Sequence, residues 1–324
     1  MAPLPTLRVW LLFSLSAFVT VSLGFGLPAL LNAATGILGV REASVTECVV
    51  VCYLLFVLYI ATPRIPRGLV EDKSGEGAKV LEEFHSERMK VVQLDVCSDE
   101  QVNRAAWFVR DNLEDSERGL WALVNNAGVS TFGGVEFTSM DAYKEVSEVN
   151  LWGTIRVTKA LLPLIRRAKG RVVNVSDLYG RMGNNAQSPV CVSKYGVEAF
   201  SDCLRYEMKS WGVKVSVVEP GNFAAATGIL SRDVLASTAN KLWAEAPPDV
   251  REDYGKARFE QITALMRSLC NSGQKDASPV LDDITDAIVS KCPYTRYNPM
   301  EPHWWIRVQL MTHLPSALSD LLYF

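Results

Sequence analysis

Histidine is scarce in this chain. Its 324 residues include three, His85, His303 and His313. They share no metal-ligand spacing with one another or with a cysteine, which argues against a metal site and against a His-based hydrolase. The seven cysteines contain no Cys-x-x-Cys pair, and Cys48 and Cys52 sit inside an apolar run. That excludes a disulfide scaffold and fits a reducing compartment. Excess positive charge is lacking too. With 33 basic and 36 acidic residues the formal net charge is -3, so the basic stripe of a nucleic-acid binder is missing. There is no internal repeat and no low-complexity tract. What the chain has in quantity is apolar sequence, 48% of its residues.

Charge is also missing locally. Between Arg8 and Arg41 no residue is charged, a stretch of about 32 residues, and a membrane span needs about 20. Gly24, Gly26 and Pro28 interrupt it. A second apolar run of about 14 residues extends from Cys48 to Ala61, short for a span unless its flanks snorkel or the bilayer thins. Arg8 precedes the first run, and Arg64 and Arg67 follow the second. The positive-inside rule then predicts a helical hairpin over residues 1–66 with both ends cytosolic. The first run is too long for a signal peptide and too poor in arginine for a presequence. A membrane-bound protein of the endoplasmic reticulum or mitochondrion is expected, with residues 67–324 forming a soluble domain.

That domain reads as alternating strands and helices. Short apolar runs at 91–96, 120–124, 171–175 and 213–218 predict strands. Helical patterns occupy 100–113, 141–166 and 190–211, the last ended by Gly212. Such alternation indicates βαβ units, a Rossmann-like and mainly parallel sheet with helices on both faces, and ligand binding at the carboxyl ends of the strands. Those ends carry Asp95-Val96, Asn125-Asn126-Ala127-Gly128, Ser176-Asp177 and Pro220-Gly221.

Taken with Val149-Asn150-Leu151-Trp152-Gly153, these segments resemble the short-chain dehydrogenase/reductase family. The stretches 200–208 and 218–223 look like its hydroxybutyrate dehydrogenase branch, with the retinol and hydroxysteroid dehydrogenases near. The similarity covers about residues 75–324. The resemblance implies NAD or NADP as cofactor, held by Asp95, Val96, Asn125, Ala127, Gly128, Lys194, Pro220 and Gly221. It implies that Asn150 and Lys194 keep the family's catalytic asparagine and lysine. It also implies a phospholipid-contacting tail and an oligomer.

Two family positions differ. The motif Tyr-x-x-x-Lys is here Val190-Cys191-Val192-Ser193-Lys194, so the tyrosine position is Val190, which has no proton to give. The motif Asn-x-Ser-Ser is Asn174-Val175-Ser176-Asp177, so the serine position is Asp177. A carboxylate there would pair with Lys194 and repel an anionic substrate. A third difference lies upstream. One βαβ unit needs about 30 residues, and the stretch from Thr62 to Val91 holds one helix candidate and no strand. The family's first two strands and the Gly-rich phosphate loop are therefore expected to be missing, which argues against cofactor and substrate binding. The edge they would cover is expected to lie open. The expectation is a catalytically impaired or inactive short-chain dehydrogenase-like protein, a pseudoenzyme or a truncated product. The alternative is an NAD-dependent oxidoreductase acting on 3-hydroxybutyrate or a steroid or retinoid alcohol. The apolar tail, 303–324, reads equally as a membrane-contacting segment or as a helix packed on the domain.

Overall fold

The structure, a computed structural model, describes residues 90–113, 119–227, 232–269 and 272–323. All of them belong to one unit, Gly68–Phe324. The membrane hairpin expected over 1–66 and the stretch expected to lack the first two strands lie outside the described residues. Among the described residues no helix is long and apolar enough to cross a membrane.

Helix α1, Asp99–Asp111, starts where Ser98 caps it through the Gln101 amide and where Asp99 and Glu100 fill the first turn, the charge preferred at a helix N-terminus. Strand β1, Ala122–Asn125, follows. Next come α2, Met140–Ser147, a π-turn at Glu148–Gly153, and α3, Thr154–Ala168. The single helix expected over 141–166 is thus interrupted at its middle. Strand β2 is Arg171–Val175, α4 is Ser188–Met208 and β3 is Lys214–Val218. A 3-10 turn closes α4, and Gly212 takes the left-handed φ of 71° that ends it, as expected of a glycine stop. Beyond β3 lie the short α5, Ala224–Thr227, then α6, Arg232–Glu245, α7, Pro248–Leu269, and α8, Ser278–Val289. Strand β4, Arg296–Tyr297, and the helices α9, Pro302–His313, and α10, Ser316–Tyr323, complete the order.

The four strands run parallel in the order β1-β2-β3-β4. Their alternation sorts side chains between two cores, as a period of two requires. Leu123, Val172 and Val215 pack with Val157, Leu161 and Ile165 of α3 and with Leu204 and Met208 of α4. Val124, Val173 and Val218 face the other way, onto Ile284, Ala287 and Ile288 of α8. Each fully buried side chain of this size contributes about 1.5–3 kcal/mol. Helices therefore cover both faces of the sheet. A satellite core joins Phe132 and Phe137 to Leu235 and Leu242 of α6 and Phe259 of α7.

One expected strand does not form. Residues 91–95 form no strand and Val96 opens a turn; among the described residues the run pairs with no strand, and Val91 is 85% exposed. An apolar run becomes a strand only where a partner accepts its hydrogen bonds. Among the described residues β1 pairs with β2 alone.

Candidate functional site

The π-turn carries the first site residue. A π-bulge re-aims a side chain out of the helical series, and here it directs Asn150 inward, 1% exposed. The Asn150 amide nitrogen donates to the Val129 carbonyl and to Ser193 Oγ, each at 3.0 Å, and its Oδ1 accepts from the Val129 amide at 2.8 Å. Asn150 thus ties the loop after β1 to the middle of α4.

Lys194 stands one residue past that junction. Its Nζ donates to the Val175 carbonyl, the last of β2, at 2.9 Å. On the opposite side is Gly128. A Cβ there would lie 3.4 Å from Asn150 Oδ1 and 3.9 Å from Lys194 Nζ, so the missing side chain leaves room beside the ammonium. Burial lowers the Lys194 pKa, and the negative charges of Asp177 and Glu198 oppose that shift.

Asp177 begins the turn after β2. Its Oδ1 accepts from the Tyr179 amide at 2.9 Å and caps the 3-10 turn Leu178–Gly180. Burial pushes its carboxyl up to about 6, against the Tyr179 amide and the Lys194 ammonium, which pull it down. Its side chain is nonetheless partly accessible. Val190 is buried in α4, one turn before Lys194, and its carbonyl accepts from Ser193 Oγ at 2.8 Å.

The structure brings Asn150, Asp177, Lys194 and Gly128 together and leaves two expected cofactor residues serving the scaffold. Asn125 is buried at the end of β1, where its amide donates to Thr158 Oγ1 at 2.9 Å and Asn174 Oδ1 at 2.8 Å. Asn174 passes the chain of bonds on to Ser201 Oγ at 2.8 Å. Asn125 therefore joins sheet to helices. Gly221 is buried against Met300, whose Cβ would lie 2.6 Å from a Cβ placed on it, and the neighbouring Pro220 carbonyl accepts from the Leu178 amide. Asn126, Ala127 and Gly128 form an exposed lip. Asp95 and Val96 occupy a turn: Asp95 Oδ1 accepts from the Cys97 amide, and Val96 packs over Gly153 while its carbonyl accepts from Arg156.

Two neighbouring tyrosines do not replace the one missing at Val190. Tyr195 points away from the Lys194 face, as the 100° helical step predicts, and is 46% exposed instead of joining the core. Tyr179 packs with Met182, Met300 and Val308, beside Trp304 and Trp305 of α9. Ser176 is buried, turned toward Gly180. Of the two readings of the tail 303–324, the structure shows α9 and α10 packed on the domain. Tyr323 of α10 accepts from the Asn185 amide and donates to Asn184 Oδ1, closing the tail over the loop that precedes α4. Among the described residues no group of His, Cys, Asp and Glu could hold a metal ion. A cleft of about 590 Å³ lies elsewhere, beside Asp99, Glu148, Trp152, Arg156 and Lys159, and includes none of the site residues.

The residues present fit the nicotinamide and ribose end of a dinucleotide. Gly128 leaves space beside a lysine, and an exposed backbone lip adjoins it. Among the described residues no glycine-rich turn joins a strand to a helix, so a pyrophosphate cradle of the usual kind has no counterpart there.

The short chain dehydrogenase family model matches residues 67–233. The chain is 59% identical over 256 residues to the mitochondrial D-beta-hydroxybutyrate dehydrogenase of Bos taurus, covering 79% of this chain and 74% of that one. In fold it is similar to a short-chain dehydrogenase from Streptomyces avermitilis, with TM-score 0.57 and 23% identity over 75% of this chain and 82% of that one. It is also similar to a short chain dehydrogenase from Burkholderia cenocepacia solved in complex with NADP, with TM-score 0.52 and 21% identity over 72% and 78% of the two chains. The chain belongs to the short-chain dehydrogenase family.

Proposed function

We propose that this chain is a nicotinamide-dependent oxidoreductase that interconverts a secondary alcohol and a ketone, with 3-hydroxybutyrate as the first substrate to try. The observation that carries this reading is the 59% identity to the bovine hydroxybutyrate enzyme over 256 residues, a stretch long enough to include the site. Lys194 would hold the ribose end of the cofactor from below, and the Asn126–Ala127–Gly128 lip would border the nicotinamide. The cofactor, when bound, supplies the hydride acceptor. Asn150 fixes the distance between that lip and α4, so it positions Lys194 without touching substrate. The relatives' location makes the mitochondrion the compartment proposed here. A lipid surface under residues 1–66, and a homo-oligomer, are proposed with it.

A second reading has its own observation. Val190 has no proton to exchange, and Asp177 stands where the family places a serine. A positioned acid or base contributes about 10²–10⁴ in rate, and an oxyanion donor about 10²–10³. Loss of both would leave a binding protein with negligible turnover. The separating experiment uses the full chain in detergent. NADH binding is followed by fluorescence, and NAD reduction with D-3-hydroxybutyrate by absorbance. Turnover favours the oxidoreductase. NADH binding without turnover favours the impaired reading. No binding removes both.

A further inference from the structure

We infer that Asp177 is the proton-exchanging residue of this chain and takes the role that Val190 cannot fill. The inference rests on the oxidoreductase reading above. Three observations carry it.

The first is placement. Lys194 Nζ is bonded to the carbonyl of Val175, two residues before Asp177, so the ammonium lies at the strand end from which the carboxyl projects. Gly128 leaves the other side of that ammonium free of a Cβ. The second is orientation. Oδ1 is held by the Tyr179 amide at 2.9 Å, which fixes the carboxyl plane. Oδ2 makes no hydrogen bond among the described residues, and the side chain is partly accessible. The third is that the groups nearest Lys194 among the described residues are otherwise engaged, and Tyr143 on α2 is hydrogen-bonded to Ser188. Tyr179 is packed into the α9 core, Tyr195 faces away, Ser176 and Cys191 are buried, and Ser193 is engaged with Asn150 and Val190.

The chemistry balances with a nicotinamide as co-reactant. In the oxidative direction the carbinol C–H bond breaks and its electron pair leaves as hydride, reducing the nicotinamide. The O–H bond breaks, its proton passes to Asp177 Oδ2, and the carbonyl forms. In the reverse direction the protonated carboxyl gives that proton to the ketone oxygen. Lys194 and Cys191 face the carboxyl from α4, and Tyr179 faces it from its own turn. The ammonium favours the ionised acid and burial the protonated one, so both forms are accessible near neutrality.

The test uses the full chain and two readouts. The Asp177 resonance in a carboxyl-carbon NMR titration, assigned by its loss in Asp177→Asn, should titrate with a midpoint at about 6, and Lys194→Met should move that midpoint up. The rate of NAD reduction with D-3-hydroxybutyrate should rise about tenfold per pH unit below that midpoint and level off above it, because only the ionised carboxyl accepts a proton. Asp177→Asn should lower kcat by about 10² or more with NADH affinity kept. A midpoint in the ordinary range near about 4 overturns the inference. An active enzyme whose kcat survives Asp177→Asn overturns it too, yet leaves the oxidoreductase reading standing. NADH binding without turnover at any pH overturns both.

Discussion

At the β4 edge of the sheet Arg296 gathers Glu198, Asp202 and Glu219, and Asn298 and Arg181 complete the set around Glu219. At the other end of the sheet β1 pairs with β2 alone among the described residues, and Val91, Val92 and Leu94, ahead of α1, are exposed. Both edges end a parallel sheet, and parallel strands are normally covered on every side. The first edge is closed by side chains that come from four separate segments, α4, β4 and the turns after β2 and β3. The second carries no further strand among the described residues. The contrast teaches that the β4 side of this domain is closed by its own charged side chains, whereas among the described residues the β1 side has no such closure.

The largest effect should come from breaking the finished edge. Glu219 and Glu198 are almost wholly buried, and Arg296 neutralises both. Burial and the neighbouring Glu219 already raise the Glu198 pKa. Arg296→Ala would leave Glu219 only Arg181 and Glu198 only the more distant Lys194 as cations. Removing one partner of a buried pair costs about 3–5 kcal/mol, so urea unfolding of the variant should show its unfolding free energy reduced by that amount or fail to show a folded baseline. A loss under about 1 kcal/mol would mean that the cluster is more hydrated than its burial indicates.

The middle of the sheet gives a smaller, pH-dependent effect. Burial raises the folded Asp177 pKa to about 6 from an ordinary value of 3.8. The native state therefore binds a proton more strongly than the unfolded state, and stability falls as pH rises from about 4 to about 6. Above that window the loss is complete. Asp177→Asn keeps the oxygen that caps Tyr179 and removes the titration. It should be more stable than the parent by about 1–3 kcal/mol at pH 7.5, with the advantage gone at pH 4. Thermal melts at the two pH values measure it. Equal melting at both would place the carboxyl in the ordinary range and weaken its part in proton exchange.

The legibility of these regions in the sequence follows the same division. The strand at 171–175 was read with its observed ends, because Arg171-Val172-Val173-Asn174-Val175 is buried on both faces and bounded by Gly170. The stop at Gly212 was legible because a left-handed φ leaves little choice of residue. Asn150, Asp177, Val190 and Lys194 are marked by resemblance; the structure sets Lys194 on the last carbonyl of β2, two residues before Asp177, and joins Asn150 and Val190 through Ser193. Three things were hidden. The packing of Gly221 against Met300 and the bond from Asn125 to Asn174 leave no mark in the sequence, since a strand-end residue looks alike whatever it faces. The π-turn at Glu148–Gly153 has no periodicity signature of its own. The run at 91–96 had the composition of a strand, and composition does not specify a hydrogen-bonding partner.

The smallest effect tests that last region. Val91 is 85% exposed, so Val91→Ser removes almost no buried area. If residues 91–94 are as solvated in the working protein as they are here, the change should alter stability by less than about 0.5 kcal/mol, the usual range for surface sites. An edge segment that instead pairs with another part of the chain or with a second copy would bury that side chain, and the same change would then cost about 1 kcal/mol or more. Urea unfolding at two protein concentrations separates the cases. A concentration-independent cost points to a segment of the same chain, whereas a cost that shrinks on dilution, as the edge loses its partner, points to a second copy. Either result would bring the β1 edge into line with the β4 edge, and a neutral result would leave the two edges as different as they stand.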